Sequence, residues 1–278
     1  MLPLSQWPVE ERRNIIGVFT DIDDTLTTHG AITADALLAL ADLKTAGLHV
    51  IPITGRPVGW GEMFAKTWPV DALVAENGGV AWVAEKNAQK SSQIGIQSAY
   101  LLPKVLSKVY QNNALIRAEN SFKMQKIAAL VTSKIQGVDV SKDSAGRETD
   151  LAFDYNEFAN LSPKTVQQVV ELLQSQGMET TVSSIHIHGC FGRFDKWLGA
   201  QWIVRELFQR ELAAELDQWV FVGDSGNDQA MFQHFKHSVG VANIRQYATQ
   251  LQHLPHYVTL AERGRGFAEV ARAVLDKD

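Results

Sequence analysis

An apolar run, Ile15, Ile16, Val18 and Phe19, opens onto Thr20-Asp21-Ile22-Asp23-Asp24-Thr25-Leu26-Thr27. Two carboxylates two residues apart at the end of a buried strand repel each other, so one must hold a proton or share a cation. Core packing gives no reason for such a pair. A divalent cation does, and so does acid–base work by one of the carboxylates. A matching acidic cluster follows another apolar run, where Trp219-Val220-Phe221-Val222 leads into Gly223-Asp224-Ser225-Gly226-Asn227-Asp228. The chemistry these residues suit is in-line attack on a phosphoryl group. Asp21 is the candidate nucleophile, forming an aspartyl-phosphate. Asp23 is the candidate acid that protonates the leaving oxygen and then the base that activates water. Mg²⁺ is expected on Asp21, on the backbone carbonyl of Asp23 and on Asp224, with waters completing an octahedron. Thr54 can donate to a phosphate oxygen, and free N–H groups after Asp21 can add further donors. Lys196, at the start of a helical pattern, is the candidate for completing the phosphate cradle.

These residues need elements to position them, and the chain alternates strand and helix signals. After the strand at about 15–20, Thr33 can cap a helix with Leu37, Leu40 and Leu43 on one stripe and Gly47 at its end. Leu48–Ile53 reads as a strand ending at Thr54-Gly55-Arg56, and Ala72–Ala75 as one ending at Glu76-Asn77-Gly78-Gly79. Ser238–Ala242 reads as one more. This alternation predicts a doubly wound, Rossmann-like parallel sheet. In such a sheet the endings at Asp21/Asp23, Thr54, Asn77 and Asp224/Asp228 share the edge where ligands bind.

The middle of the chain reads differently. Lys86 to Gln97 is a polar loop or hairpin, followed by helical patterns near 98–112 and 120–136. Leu151–Tyr155 is a strand candidate. Ser162 and Pro163 open a helix that Gly177 ends. Thr180–Ser184 and Ile185–His188 are strand runs. The expectation is an α/β core over 1–84 and 191–278, with an inserted α+β cap over 85–190.

Competing readings are weaker. A calcium loop needs Gly and Glu where Leu26 and Ile32 stand. Gly223-Asp224-Ser225-Gly226 continues as Asn227 and sits among alternating strands and helices, unlike a serine-protease site. His186 and His188 share a strand face without a third zinc ligand spaced to help, so cap packing or substrate contact is the better reading. The chain has 278 residues, is 45% hydrophobic and 21% charged, and carries a net charge of −5, which disfavours general nucleic-acid binding. Cys190 is the single cysteine, so no intrachain disulfide is possible. The start lacks a signal-peptide pattern, and the expectation is a cytoplasmic protein with no membrane or nucleic-acid partner.

Asp21-x-Asp23-x-Thr25, Thr54-Gly-Arg56, Lys196 and Gly223-Asp224-x-x-Asn227-Asp228 occur in the order and spacing of the haloacid dehalogenase superfamily, and the resemblance spans about 15–242. The large insertion resembles the cap of its sugar-phosphatase branch, which includes sucrose-phosphate and mannosyl-3-phosphoglycerate phosphatases. The resemblance implies a Mg²⁺-dependent phosphatase of a small phosphorylated metabolite, most simply a sugar phosphate. It further implies that Asn227 and Asp228 position metal and lysine, and that Arg56 and Asn77 lie on the substrate side. Arg147-Glu148 is similar to a cap segment of the mannosylphosphoglycerate enzymes, although Thr149-Asp150-Leu151 departs from that pattern. The alternatives are a phosphomutase on the same scaffold and a non-catalytic phospholigand-binding protein.

Overall fold

The computed structural model describes residues 1–85 and 105–277. In chain order, β1 (Leu2–Pro3), α1 (Val9–Arg12) and β2 (Gly17–Thr20) precede a small hairpin, β3 (Thr27–Thr28) and β4 (Ala31–Ile32). Then come α2 (Ala34–Thr45), β5 (His49–Pro52), α3 (Val58–Thr67), β6 (Ala72–Ala75), β7 (Val80–Ala84) and β8 (Leu106–Tyr110). The next elements are α4 (Ala114–Lys134), β9 (Asp150–Asp154), α5 (Pro163–Ser175), β10 (Glu179–Val182) and β11 (His186–Cys190). The chain closes with α6 (Lys196–Phe208), β12 (Trp219–Gly223), α7 (Gln229–His234), β13 (His237–Gly240), β14 (Tyr257–Val258) and α8 (Arg263–Leu275).

The central sheet has six strands in the order β1-β14-β13-β12-β2-β5, and its pairings are parallel. Its strands are apolar on both faces because helices cover both. Val18, Val50 and Val220 point into a layer with Leu40 and Leu43 of α2 and Phe267, Val270 and Val274 of α8. Phe19, Ile51 and Phe221 point the other way, against Ala200, Ile203 and Val204 of α6 and Phe232 of α7. Each fully buried aliphatic or aromatic side chain contributes about 1.5–3 kcal/mol. The Thr33 hydroxyl caps α2 by accepting from the Ala36 N–H at 3.2 Å, while Leu37, expected on the buried stripe, is 39% exposed.

An antiparallel sheet, β6-β7-β8, continues from the central one through a parallel bridge between Ile53 and Val74. Here the structure corrects the expected helix near 98–112. Leu106–Tyr110 is a strand with Trp82 opposite Lys108, whose ammonium lies 5.4 Å from the indole ring. The apolar spacing of Leu106 and Val109 suited a helix, but pairing with β7 satisfies this backbone instead. Residues 98–104, like the loop or hairpin expected from Lys86 to Gln97, lie outside the described residues.

The third sheet, β10-β11-β9, is antiparallel. One face, with Phe153 and Ile187, packs on α4 and α5 through Ile127, Val131, Val169 and Leu173. The other face carries Asp150, His186 and His188 and turns toward the central sheet. Ser162 accepts from the Thr165 N–H at 3.1 Å and Pro163 stands in the first turn, as the expected start of α5 requires. No described helix is long and apolar enough to cross a membrane.

Candidate active site

The ends of β2 and β12 lie side by side, with Val222 the register partner of Thr20. This adjacency brings the two acidic segments together. Asp21, Asp224 and Asp228 each place a carboxylate oxygen within 4.8 Å of the others, and all three residues are buried. Lys196 reaches them from the first turn of α6. Its Nζ donates to Asp21 Oδ1 at 2.5 Å and to Asp228 Oδ1 at 2.7 Å, and the residue is 0% exposed. Helix placement depends on two glycines. A Cβ at Gly199 would lie 2.6 Å from Gly78 Cα, so α6 can rest against the turn after β6 only without side chains there. Asp195 fixes the start of the helix by accepting from the Leu198 N–H at 2.7 Å.

The three carboxylates differ in their partners. Asp228 Oδ2 accepts from the N–H groups of Asp224 (2.8 Å) and Ser225 (3.0 Å), so both of its oxygens are engaged. Asp224 Oδ2 accepts from Asn243 Nδ2 at 2.9 Å, whereas the buried Asp224 Oδ1 has no hydrogen-bond partner. The one ammonium thus bonds two of the three acidic groups, Asp21 and Asp228, and not Asp224. Burial pushes the Asp21 carboxyl up to about 7, against the pull of Lys196 and with help from Asp228 and Asp23. Burial, reinforced by Asp21 and Asp228, also raises Asp224 well above the ordinary carboxylate range.

Thr54 and Asn77 complete this edge. The Thr54 hydroxyl oxygen accepts from the Arg56 N–H at 3.0 Å, leaving its proton available. The N–H groups of Ile22, Asp23 and Gly55 find no acceptor among the described residues. Glu76 and Asn77 both sit at φ 52°, a left-handed backbone that side-chain-bearing residues rarely adopt. Bonds from their N–H groups to the carbonyls of Arg56 (3.0 Å) and Thr54 (2.9 Å) hold the turn. Asn77 Oδ1 then accepts from Asn227 Nδ2 at 3.3 Å, tying two strand ends together.

The β10-β11-β9 sheet covers this edge. A cavity of about 10 Å³ remains over Asp21, lined by Asp23, Thr54, Arg56, His186 and His188 among others. Arg56 Nε donates to both Asp23 carboxylate oxygens at 3.2 Å, and Nη2 to Asp23 Oδ1 at 3.1 Å. The same guanidinium reaches Glu157 at 2.9 Å and Asp143 at 3.4 Å. Glu157 also pairs with His186 at 2.8 Å; this bond and then Arg56 lower its pKa to about 2. His188 Nδ1 lies 3.1 Å from Asp150 Oδ2. Burial, with Arg147 and His186 adding to it, drives the His188 pKa well down. A Cβ at Gly55 would meet His188 Nε2 at 3.0 Å, tighter than an ordinary van der Waals contact, so the imidazole would have to give way slightly.

Arg147 and Glu148, expected on the substrate side, do not reach this cavity. Arg147 donates to Asp150 Oδ1 (2.8 Å) and to the Gly55 carbonyl (2.9 Å), and its side chain is 2% exposed. Glu148 turns away to Lys108 and Tyr110, each at 2.6 Å. Sequence reasoning missed Asn243, Asp143, Asp150 and Glu157. Only Asn243 carried a local signal, standing just beyond the expected strand Ser238–Ala242. Glu76 was noted as part of a turn; its carboxylate is in fact a clamp. It accepts from the N–H groups of Val58 (3.0 Å), Glu148 (3.1 Å) and Thr149 (2.5 Å) and from the Thr149 hydroxyl (2.6 Å).

A parallel α/β sheet whose strand ends gather a lysine-pinned acidic cluster beneath a second, antiparallel sheet is the layout of an enzyme. Residues 18–190 match the family model described as haloacid dehalogenase-like hydrolase, and the chain belongs to that family. It is a phosphatase. A second model, sucrose-6F-phosphate phosphohydrolase, matches residues 114–269. No curated protein matches the chain significantly in sequence. Among solved structures, one from Thermoplasma acidophilum is 18% identical with a TM-score of 0.67, over 94% of this chain and 98% of that one. The sucrose-phosphatase of Synechocystis sp., solved with sucrose and phosphate, is 16% identical with a TM-score of 0.64, over 94% of this chain and 98% of that one. The C-terminal domain of C. albicans trehalose-6-phosphate phosphatase is 14% identical with a TM-score of 0.62, over 96% of this chain and 94% of that one. At these identities the likeness is one of fold.

Proposed function

We propose that the chain is a Mg²⁺-dependent phosphatase of a small phosphorylated metabolite, a sugar phosphate, and that it works through an aspartyl-phosphate on Asp21. The observation that carries this reading is the buried cluster: Lys196 between Asp21 and Asp228, and Asp224 Oδ1 without a partner. The donor set is all oxygen, which suits a hard divalent cation. Asp21, the Asp23 carbonyl and Asp224 would hold it. The Asp23 carbonyl accepts no hydrogen bond from the described residues, and Asp228 is already engaged on both oxygens. When bound, Mg²⁺ supplies positive charge that screens carboxylate from phosphate.

The chain's own groups do the rest. Asp21 attacks phosphorus, and the electron pair of the breaking P–O bond leaves on the substrate oxygen. Asp23 gives that oxygen its proton, then takes one from the water that cleaves the acyl phosphate. Arg56 holds the Asp23 carboxyl in one orientation for both steps. Thr54, Lys196 and the unpaired N–H groups of Ile22, Asp23 and Gly55 are placed to take the phosphoryl oxygens. The residues over the site, within the expected cap of 85–190, exclude water from the first step. The metabolite substrate and single buried cysteine suit a reducing, cytoplasmic setting.

The test is phosphate release from a panel of sugar phosphates with and without Mg²⁺, alongside Asp21→Asn. The expected result is Mg²⁺-dependent release by the native chain and none by the variant, with circular dichroism unchanged. Normal turnover by Asp21→Asn would remove the nucleophile from this account. An isomeric sugar phosphate without free phosphate would make the enzyme a mutase.

A further inference from the structure

Arg56 joins two carboxylates that come from different layers of the molecule. One is Asp23, just past β2; the other is Glu157, in the turn that follows β9. Nη2 carries two N–H bonds and gives one to each, to Glu157 Oε1 at 2.9 Å and to Asp23 Oδ1 at 3.1 Å. The bond to Glu157 therefore fixes where the other N–H points. The remaining contacts of the guanidinium direct it less. Trp60 offers a ring face at 5.5 Å, and Asp143 lies at 3.4 Å while also accepting from Ser141 at 2.7 Å.

Glu157 is itself built into place. Asp154, the last residue of β9, accepts from the N–H groups of Glu157 (2.9 Å), Phe158 (3.0 Å) and Ala159 (3.3 Å), which sets the turn. Asn156 Nδ2 pins the same turn to the Ser184 carbonyl at 3.0 Å. His186, the register partner of Asp154 on β11, bonds Glu157 Oε2 at 2.8 Å. One carboxylate oxygen is thus anchored on the covering sheet while the other reaches the guanidinium. Arg56 and Asp23 line the cavity over Asp21, and Glu157 does not.

We propose that Glu157, braced by His186, is a positioning residue for the general acid and acts on Asp23 through Arg56; the inference rests on the phosphatase reading above. Arginine on its own stem has wide rotamer freedom, and a carboxylate fixed from the other layer removes it. The Asp23 oxygens are bonded unevenly as a result. Oδ1 accepts from Nε and Nη2, whereas Oδ2 accepts from Nε alone, at 3.2 Å. Oδ2 is the oxygen left to carry the proton. As the bond from Asp21 to phosphorus forms, the P–O bond to the leaving group breaks and its electron pair passes to the ester oxygen. That oxygen takes the proton from Oδ2, and Asp23 is left as a carboxylate on Arg56. An alcohol needs this proton to leave; 4-nitrophenolate leaves without it.

The test measures kcat/KM, with Mg²⁺, for alkyl esters (sugar phosphates and glycerol 1-phosphate) and for 4-nitrophenyl phosphate. This parameter reports the transition state of transfer to Asp21 relative to free enzyme and ester. The readout is the alkyl-to-aryl ratio within one preparation, in which any loss of folded protein cancels. In Glu157→Ala the ratio is expected to fall about tenfold, with the alkyl loss in kcat and not in KM. Glu157→Gln keeps an acceptor for Nη2, and its ratio is expected to fall about threefold; it decides the matter if the alanine variant does not fold. Arg56→Ala should lower the ratio, and adding Glu157→Ala to it should lower the ratio no further. Equal losses on all esters would make Glu157 a tie between layers only, and a further fall in the double variant would show a route other than Arg56. Either result, or a native chain that hydrolyses the aryl ester alone, overturns the inference and leaves the phosphatase reading standing. Absence of release from every ester overturns both.

Discussion

Replacing Lys196 by Met keeps the length of the side chain and removes its charge. In the native chain the ammonium is wholly enclosed and donates to Asp21 and Asp228 at 2.5 and 2.7 Å. Burial works against the charge, but the two carboxylates outweigh it and raise the Lys196 pKa. Without the lysine, Asp21, Asp224 and Asp228 face one another within 4.8 Å with no cation in contact. Removing one partner of a buried pair costs about 3–5 kcal/mol. For a chain of this size that is a fall in Tm of roughly 10 °C. The assay is thermal denaturation in chelator and again at saturating Mg²⁺. Because the variant's cluster carries one positive charge fewer, Mg²⁺ should recover more stability in the variant than in the native chain; a hundredfold excess over Kd is worth about 2.7 kcal/mol. Turnover should fall at least about a hundredfold even where Mg²⁺ restores the fold. A Tm in chelator within about 2 °C of native would show that the lysine does not compensate the cluster, and the charge argument would be wrong.

Other perturbations test separate links. Gly199→Ala puts a Cβ 2.6 Å from Gly78 Cα; it should cost about 1–3 kcal/mol in chemical denaturation and lower kcat by displacing Lys196, on the same helix. Arg56→Lys keeps a charge but loses the two-pronged grip on Asp23; kcat should fall about tenfold, with little change in Tm. Glu76 gives a pH signature. Burial, aided by Asp150, raises its carboxyl from 4.5 to about 7. Between those values the folded chain holds a proton that the unfolded chain has released, so this contribution is full below about pH 4.5 and gone above about pH 7. Glu76→Gln cannot titrate, and its stability profile over that window should be flatter by roughly 3 kcal/mol; an unchanged slope in urea titrations at a series of pH values would contradict the raised pKa.

The candidate site's edge was legible because each strand ending there is a short apolar run stopped by polar, glycine-containing sequence. Asp21, Thr54, Asn77 and Asp224 could be assigned to one edge from that pattern alone. Lys196 was legible for a related reason, standing just inside a well-marked helix start. One strand of the β6-β7-β8 sheet was not legible in the same way. Leu106–Tyr110 forms a strand only because β7 offers it a partner, and nothing in its own spacing required that. The ion pairs of Arg56 with Asp143 and Glu157 span 87 and 101 residues, beyond the reach of periodicity or capping. Arg147 and Glu148 show the opposite error. Adjacent residues on an extended backbone point to opposite sides, so one is buried against Asp150 while the other meets Lys108 at the surface.

The site's charges also explain why a fold would carry so costly a cluster. One buried ammonium cannot satisfy three buried carboxylates, so in isolation the group must retain protons, as the raised pKa values of Asp21 and Asp224 express. A protonated Asp21 is a poor nucleophile. Asp21 and Asp224, with the Asp23 carbonyl, would hold a divalent cation, whose charge would favour their ionised forms and bring the site close to neutral; Lys196, Thr54 and the unpaired N–H groups would then face an arriving phosphate dianion. On the proposed reading, nucleophile activation and substrate attraction would share one cause. Asp224→Asn tests this coupling. Removing one carboxylate should weaken Mg²⁺ binding and raise KM for the phosphate ester together, and a change in Mg²⁺ affinity with KM untouched would show the two to be independent.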